Sequence, residues 1–344
     1  MELGIGMFGD LSHDKEKNEY QKPAERLQQI IEQVKLADEL GLDVFAMGEH
    51  HREDYAVPAP EIMLAALSTV TKNIKLASGV SVISSADPVK LYQDFAMIDL
   101  ISNQRTEIFA GRGSFIESFP LFGYDLAHYN ELFEEKLALL LKLNKEENIS
   151  WEGKFRAPIK NQTVYPQPER EIPIWAAVGG TPASIERAAR YGIPVIFAII
   201  GGMPNQFTPL VEYYKEQFIR YGHDFNKLQI GVHSHTFIGE SKEEVLKNYF
   251  PHYKEQMDRI GKGRGWAPYT QQQFEGGMSP HGALFMGSPE DVAEKIIKII
   301  EMFNLTRFIA HLDVGGPSHE EMIRNIEVYA KEVVPIVRKH FEKK

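Results

Sequence analysis

One feature constrains the fold more than any other. Eight short apolar runs follow one another, each succeeded by a stretch with helical spacing. "ELGIGMF", "LDVFAM", "IKLASGVSVI", "RTEIFAG", "IPIWAAV", "IPVIFAII", "LQIGVHSHTFIG" and "TRFIAHL" read as strands one to eight. Between them, apolar residues recur on one helical face: Leu27, Ile30, Ile31 and Val34 early in the chain, Val292, Ile296, Ile299 and Phe303 late, then Ile323, Ile326, Ala330, Val333 and Val337. Pro23 suits a first helical turn and Gly41 a stop; Asp87 suits an N-cap, with Pro88 as the first helical residue. Eight such units predict an α/β fold, a (β/α)8 TIM barrel closed by right-handed crossovers. The rival is an open doubly wound sheet, but no unit opens with a G-x-G-x-x-G turn. Two stretches break the rhythm: "NISWEGKFRAPIKNQTVYPQPER" after helix four, and an irregular region from Pro251 to Gly287 after strand seven. Both read as insertions. No linker or repeat divides the chain, so 1–344 reads as a single barrel domain.

Composition narrows the function. The 344 residues include no cysteine, which excludes disulfides, thiolate metal sites and a cysteine nucleophile. A formal charge of −10 argues against general nucleic-acid binding. The N-terminal stretch lacks a basic head and apolar core, and no apolar run approaches about 18 residues, so neither a signal peptide nor a membrane span is expected. The expectation is a cytoplasmic protein.

Barrel geometry places chemistry at the C-terminal ends of the strands. There, after strand two, stand Glu49, His50 and His51 in "GEHHRED". Either histidine can move a proton or bond a ligand; the alternative is a solvated loop. His233 and His235 share a face of strand seven. They are one edge of a metal site, together with His50 and His51, or a pair hydrogen-bonded inside the barrel. Arg112, between Gly111 and Gly113 and followed by Ser114, can hold a phosphate. After strand five, Gly179 and Gly180 make a tight turn into a helix with Thr181 at its N-cap and Pro182 first inside. Its free N–H groups and the hydroxyls of Thr181 and Ser184 suit an anion. Gly79 interrupts strand three, marking a bulge, a close backbone approach or a bend for barrel closure. "GKGRGW", Gly261 to Trp266, lacks a P-loop ending and reads as a flexible lid. His311 ends strand eight.

Taken in order, "GEHHRED", "SADPVKLYQDFAMIDLISNQRTEIFAGRG", "LFGYD", "MGSPEDVAEKI" and "DVGGPSHEEMIRNIEVYAKEVVPIVR" resemble the bacterial luciferase-like flavin-dependent monooxygenase family along nearly the whole chain. The resemblance implies a TIM barrel that uses reduced FMN, supplied by a separate flavin reductase, and O2 to oxygenate a small organic substrate. In some branches the deazaflavin F420 serves in hydride transfer instead, and a non-catalytic flavin-binding relative is a third reading. It also implies a non-prolyl cis peptide at Gly79–Val80, with Ser81 beside it, against the flavin ring. The phosphate would lie on Arg112, Gly113, Ser114, Gly179, Gly180, Thr181 and Ser184. His50 would be base or hydrogen-bond partner, oriented by Glu49, and the protein a homodimer. The chain departs from the pattern at four points. Gly111 replaces a reactive cysteine, Asn130 a second phosphate-binding arginine, Gly180 an acidic residue, and a residue near Ile199 a tryptophan. These departures speak against light emission and predict weaker FMN binding.

Overall fold

The structure, a computed structural model, describes residues 1–342. Eight strands carry the core: β1 (Glu2–Met7), β2 (Val44–Met47), β3 (Lys75–Val82), β4 (Thr106–Gly111), β5 (Ile174–Val178), β6 (Val195–Ala198), β7 (Ile230–Ile238) and β8 (Arg307–His311). Each pairs in parallel with the next, and β8 pairs back onto β1, closing the predicted barrel.

Strand side chains alternate, so every strand feeds two layers. Leu3, Ile5 and Met7 of β1 point outward into the core shared with the helices. A separate interior cluster, Val44, Ala46, Ala77, Phe109, Trp175, Ile196 and Ile309, fills the barrel. Along β8 the inward positions form a ladder. Arg307 is at the bottom, Ile309 in the middle and His311 at the mouth. Arg307 is fully buried, with its guanidinium 4.3 Å from the Trp175 ring centre and bonded to Glu2 and Glu107. Removing one partner of such a buried pair strands the other charge and typically costs about 3–5 kcal/mol. The bottom of the barrel is therefore a polar plug.

The helices start where their punctuation says. Pro23–Glu39 opens on its proline, and Gly41 follows it with φ +76°. The Asp87 carboxylate accepts from the N–H groups of Val89 and Lys90 to cap Pro88–Ser102. The first helix buries Arg26, Ile30, Gln33, Val34 and Ala37, while Leu27 and Ile31 are only half-buried. The inward stripe is turned by one position because Arg26 reaches under the barrel mouth to Asp313, 2.9 Å away.

Between the helix Tyr129–Lys145 and β5 lies a two-stranded hairpin, Asn148–Trp151 with Ile159–Thr163. The region expected to be irregular from Pro251 to Gly287 is mostly helical instead. Phe250–Lys262 and Gln271–Met278 follow a short helix Lys242–Asn248, and Phe285–Gly287 adds a parallel strand beside the end of β7. These helices form because they have a core of their own. Tyr249, Tyr253, Phe274 and Met278 pack on Phe237, Leu284, Met286 and Val314. Of the glycines of "GKGRGW", Gly263 and Gly265 sit at the turn between the two longer helices, and Gly261 in the last turn of the first. Sequence reading also missed a small hairpin after β1, His13–Asp14 with Glu19–Tyr20, and a short helix Ser118–Phe122 after β4. Among the described residues no helix is long and apolar enough to cross a membrane.

Candidate active site

The ends of β2 to β5 and β7 converge on a cavity of about 280 Å3. Of the residues singled out from sequence, Glu49, His50, His51, Gly79, Val80, Gly111, Arg112, Gly113, Ser114, Gly179, His233, His235 and His311 line it. Ser81, Gly180, Thr181 and Ser184 do not. Ser81 is buried on the side of β3 away from the cavity, its hydroxyl without a partner. The other three stand behind Arg112.

The β3 wall is irregular where the glycine predicted. The Gly79–Val80 peptide is cis, and the β3–β4 register shifts between Gly79 and Ser81. Val80 then leans on β4. A Cβ built on Gly111 would lie 2.5 Å from Val80 Cγ2. Gly111 thus leaves no room for the cysteine that the luciferase pattern has there.

At one rim, Arg112 donates from Nη1 to Asn130 Oδ1 (2.8 Å) and from Nη2 to Ser184 Oγ (3.1 Å). Ser184 in turn shares a 2.7 Å hydrogen bond with Thr181. Thr181 occupies the N-cap position of the helix Pro182–Tyr191, but its hydroxyl makes no capping bond because Ser184 holds it. Gly180, with φ +112°, lets the chain turn here. Among the described residues no carboxylate pairs with Arg112. Its charge is held in place by neutral groups, and it is available to an anion.

His50 lies deeper. Phe8, Tyr55 and Phe115 ring it at centroid distances of 4.7, 4.3 and 4.9 Å. Burial, helped by the charge of His311, pushes its pKa down to about 3. Its buried Nε2 has no hydrogen-bond partner within the protein, which leaves it open to bond a ligand. Glu49 does not orient it, contrary to expectation. Glu49 Oε1 bonds His51 Nε2 at 2.9 Å, and Oε2 accepts the Val82 N–H at 2.7 Å. Residues two apart on an extended segment share a side, so Glu49 pairs with His51 while His50 faces the other way.

The cavity floor is a histidine cluster. His233 Nε2 and His311 Nδ1 are 3.1 Å apart. His311 Nε2 stands 3.1 Å from Asp313 Oδ1, close enough for an ion pair but out of line for a hydrogen bond. Asp313 also accepts N–H bonds from Phe8 and Gly9 and a bond from Arg26. Burial alone would raise its pKa; the charges of His311 and Arg26 and the N–H bond from Phe8 outweigh that and hold the carboxyl well below its usual range. His235 Nδ1 meets the Tyr253 hydroxyl at 2.9 Å. Burial drives the pKa values of His233 and His235 well down, so both are neutral. Gly6 of β1 makes the space: a Cβ there would lie 2.4 Å from His233 Nε2.

The metal reading of His50, His51, His233 and His235 is not supported, because those donors do not converge. Among the described residues the group that does is Asp10, His311 and Asp313, whose Asp313 oxygens are already committed to Arg26 and backbone N–H groups. Sequence reading passed over Asp313, Arg26, Tyr253 and the ring around His50. Asp313 had a usable signal, since it follows strand eight at the mouth.

A parallel eight-stranded barrel with its polar groups gathered at the strand ends defines the class of protein. The sequence model of the luciferase-like monooxygenases matches residues 1–303, and the chain belongs to that family. The oxygenase component of the flavin-dependent trigonelline monooxygenase of Acinetobacter baylyi is 24% identical over 357 residues, covering 95% of this chain and 94% of that protein. The monooxygenase RslO1 of Streptomyces bottropensis superposes with a TM-score of 0.83 at 23% identity, covering 97% of this chain and 99% of that one. The oxygenating constituent of 3,6-diketocamphane monooxygenase of Pseudomonas putida, solved in complex with FMN, gives 0.74 at 21% identity, covering 97% and 98%. F420-dependent enzymes share the fold as well.

Proposed function

We propose that this chain is the oxygenase component of a two-component monooxygenase, which takes reduced FMN from a separate flavin reductase and uses O2 to oxygenate a small organic molecule. The residues fit the flavin. Val80, Val82, Phe109, Ala177 and Ile196 offer an apolar bed for a flat ring, and Arg112 offers a cation at the rim for the phosphate. Reduced FMN, when bound, supplies the two electrons by which one oxygen atom enters the substrate and the other leaves as water.

The chain's own residues do the rest. Arg112, braced by Asn130 and Ser184, binds the phosphate by charge-assisted hydrogen bonds. Val80 fixes the height at which the ring can lie. His50 is a neutral imidazole with a free Nε2. A group that takes up a proton only near pH 3 is a poor base, so it serves as a hydrogen-bond partner to ring or substrate. The aromatic ring around it excludes water from the reacting side. Asn130 stands where the family pattern has a second phosphate-binding arginine, so FMN binding is modest, as suits a cofactor that commutes to a reductase.

The observation that carries this reading is Arg112, a cavity-rim guanidinium without a carboxylate, joined by hydroxyl and amide groups from two other elements. Anaerobic titration with reduced FMN tests it. Saturable binding that weakens at least about tenfold in Arg112→Ala is expected, as for loss of one charge-assisted bidentate contact. Binding unchanged by the substitution, or none in the parent protein, overturns it. A second reading, hydride transfer with F420, rests on the F420-dependent enzymes that share the fold. The same titration with F420 separates the two.

A further inference from the structure

A second cavity adjoins the first. It has a volume of about 1110 Å3, room for a drug-sized guest, and its walls are the loop after β6 and the helices after β7. Ile200 and His235 line both cavities, so the two spaces meet at those residues. If the smaller one holds the flavin, the larger one holds whatever reacts with it; this inference rests on the function proposed above.

The lining is informative by what it contains. Met203, Met257, Trp266, Ala267, Tyr269 and Leu284 make most of it apolar. Its polar members, among them Asn205, Gln273, Ser279 and the His235–Tyr253 pair, are neutral hydrogen-bonding groups or histidines. No lysine, arginine, aspartate or glutamate lines it. Ile200, Met203 and Trp266 are half exposed there, apolar surface that a guest would cover. A charged guest would give up hydration and find no lysine, arginine, aspartate or glutamate to pair with, only the exposed His281 at the wall, which is unfavourable. At the junction, Tyr253 is a phenol, since burial raises its pKa well above the usual value, and its hydroxyl is bonded to a neutral His235. That pair can bond a carbonyl or hydroxyl without supplying charge.

We infer that the larger cavity binds an uncharged, mainly apolar organic substrate, with an oxygen-bearing head group at His235 and Tyr253 beside the flavin cavity. Carboxylates, amines and phosphate esters are disfavoured, because among the described residues no lysine, arginine, aspartate or glutamate lines the cavity.

Trp266 gives the readout. Quenching of its fluorescence by 2-nonanone, nonanoate and nonylammonium, three probes of one chain length, measures the preference, with Trp266→Phe as the signal control. The ketone is expected to bind at least about tenfold more tightly than either ion. Met257→Lys, which puts a cation in the wall, is expected to turn the preference toward nonanoate. Equal or tighter binding of either ion by the parent protein, or no binding of the ketone, overturns the inference. FMN binding, read from the flavin absorbance in a separate titration, keeps the two proposals apart. Ketone binding without flavin binding sinks the cofactor reading and leaves the cavity's chemistry standing; flavin binding with an ion preferred does the reverse.

Discussion

His50 shows how far a single side chain can be moved from its ordinary chemistry. Burial among three aromatic rings, with the charge of His311, outweighs the opposing pull of Asp313, so protonation is disfavoured and its pKa falls from 6.5 to about 3. This has a consequence for stability. Between about pH 6.5 and 3 the unfolded chain binds a proton at this position and the native chain does not. Acid therefore draws the equilibrium toward unfolding, and the contribution is fully present only above the unfolded value. His233 and His235, also shifted well down by burial, act in the same direction. Urea titrations should show stability falling as pH drops below about 6.5, with a slope reduced in His50→Asn by on the order of one proton. An unchanged slope would refute the assignment. The residue scale is also where sequence reading fell short. His50 and Glu49 were visible as neighbours in "EHH", yet which one faces which partner depends on the side of the chain they leave from. Asp313 and Arg26 are 287 positions apart, and no local pattern announces such a pair.

At the scale of elements, most was legible. Continuous apolar runs gave up the strands, proline and aspartate marked the helix starts, and Gly79 marked the irregular point of β3. The convergence of Arg112 with Ser184 followed from placing both after strands of one barrel. Of the helices after β7, "SKEEVLKNYF" was legible, but Phe250–Lys262 and Gln271–Met278 were missed because the glycines between them outweighed, to the eye, an amphipathic pattern that only Phe237 and Met286 complete. The contact between β3 and β4 yields a sharp prediction. With Val80 Cγ2 2.5 Å from where a Cβ would sit, Gly111→Cys cannot be accommodated without moving the cavity wall. We expect it to fold, since the strain is local, but to bind reduced FMN at least about tenfold more weakly, a loss of roughly 1.4 kcal/mol. A cysteine variant with parental affinity in the anaerobic titration would show that Val80 does not set the ring position.

For the whole molecule, the outer faces of Pro60–Val70 and Pro88–Ser102 stand out. Ile62, Met97, Leu100 and Ile101 are exposed on these adjacent helices, at 68, 52, 42 and 52%. Grouped apolar surface of this kind marks an association site more often than a free surface. We propose that two copies pair through it as a homodimer. Sedimentation equilibrium should then report twice the 39.1 kDa chain mass, and Leu100→Glu with Ile101→Glu should report one chain. A parent protein that sediments as a single chain would end the proposal.

The plug of Arg307, Glu107 and Glu2 has an implication for traffic. With one end of the barrel shut, the cofactor and substrate of the proposed function would come and go by the same doorway, and neither would have a back exit. Whichever settles first narrows the passage left to the other, so each would influence the other's arrival and departure.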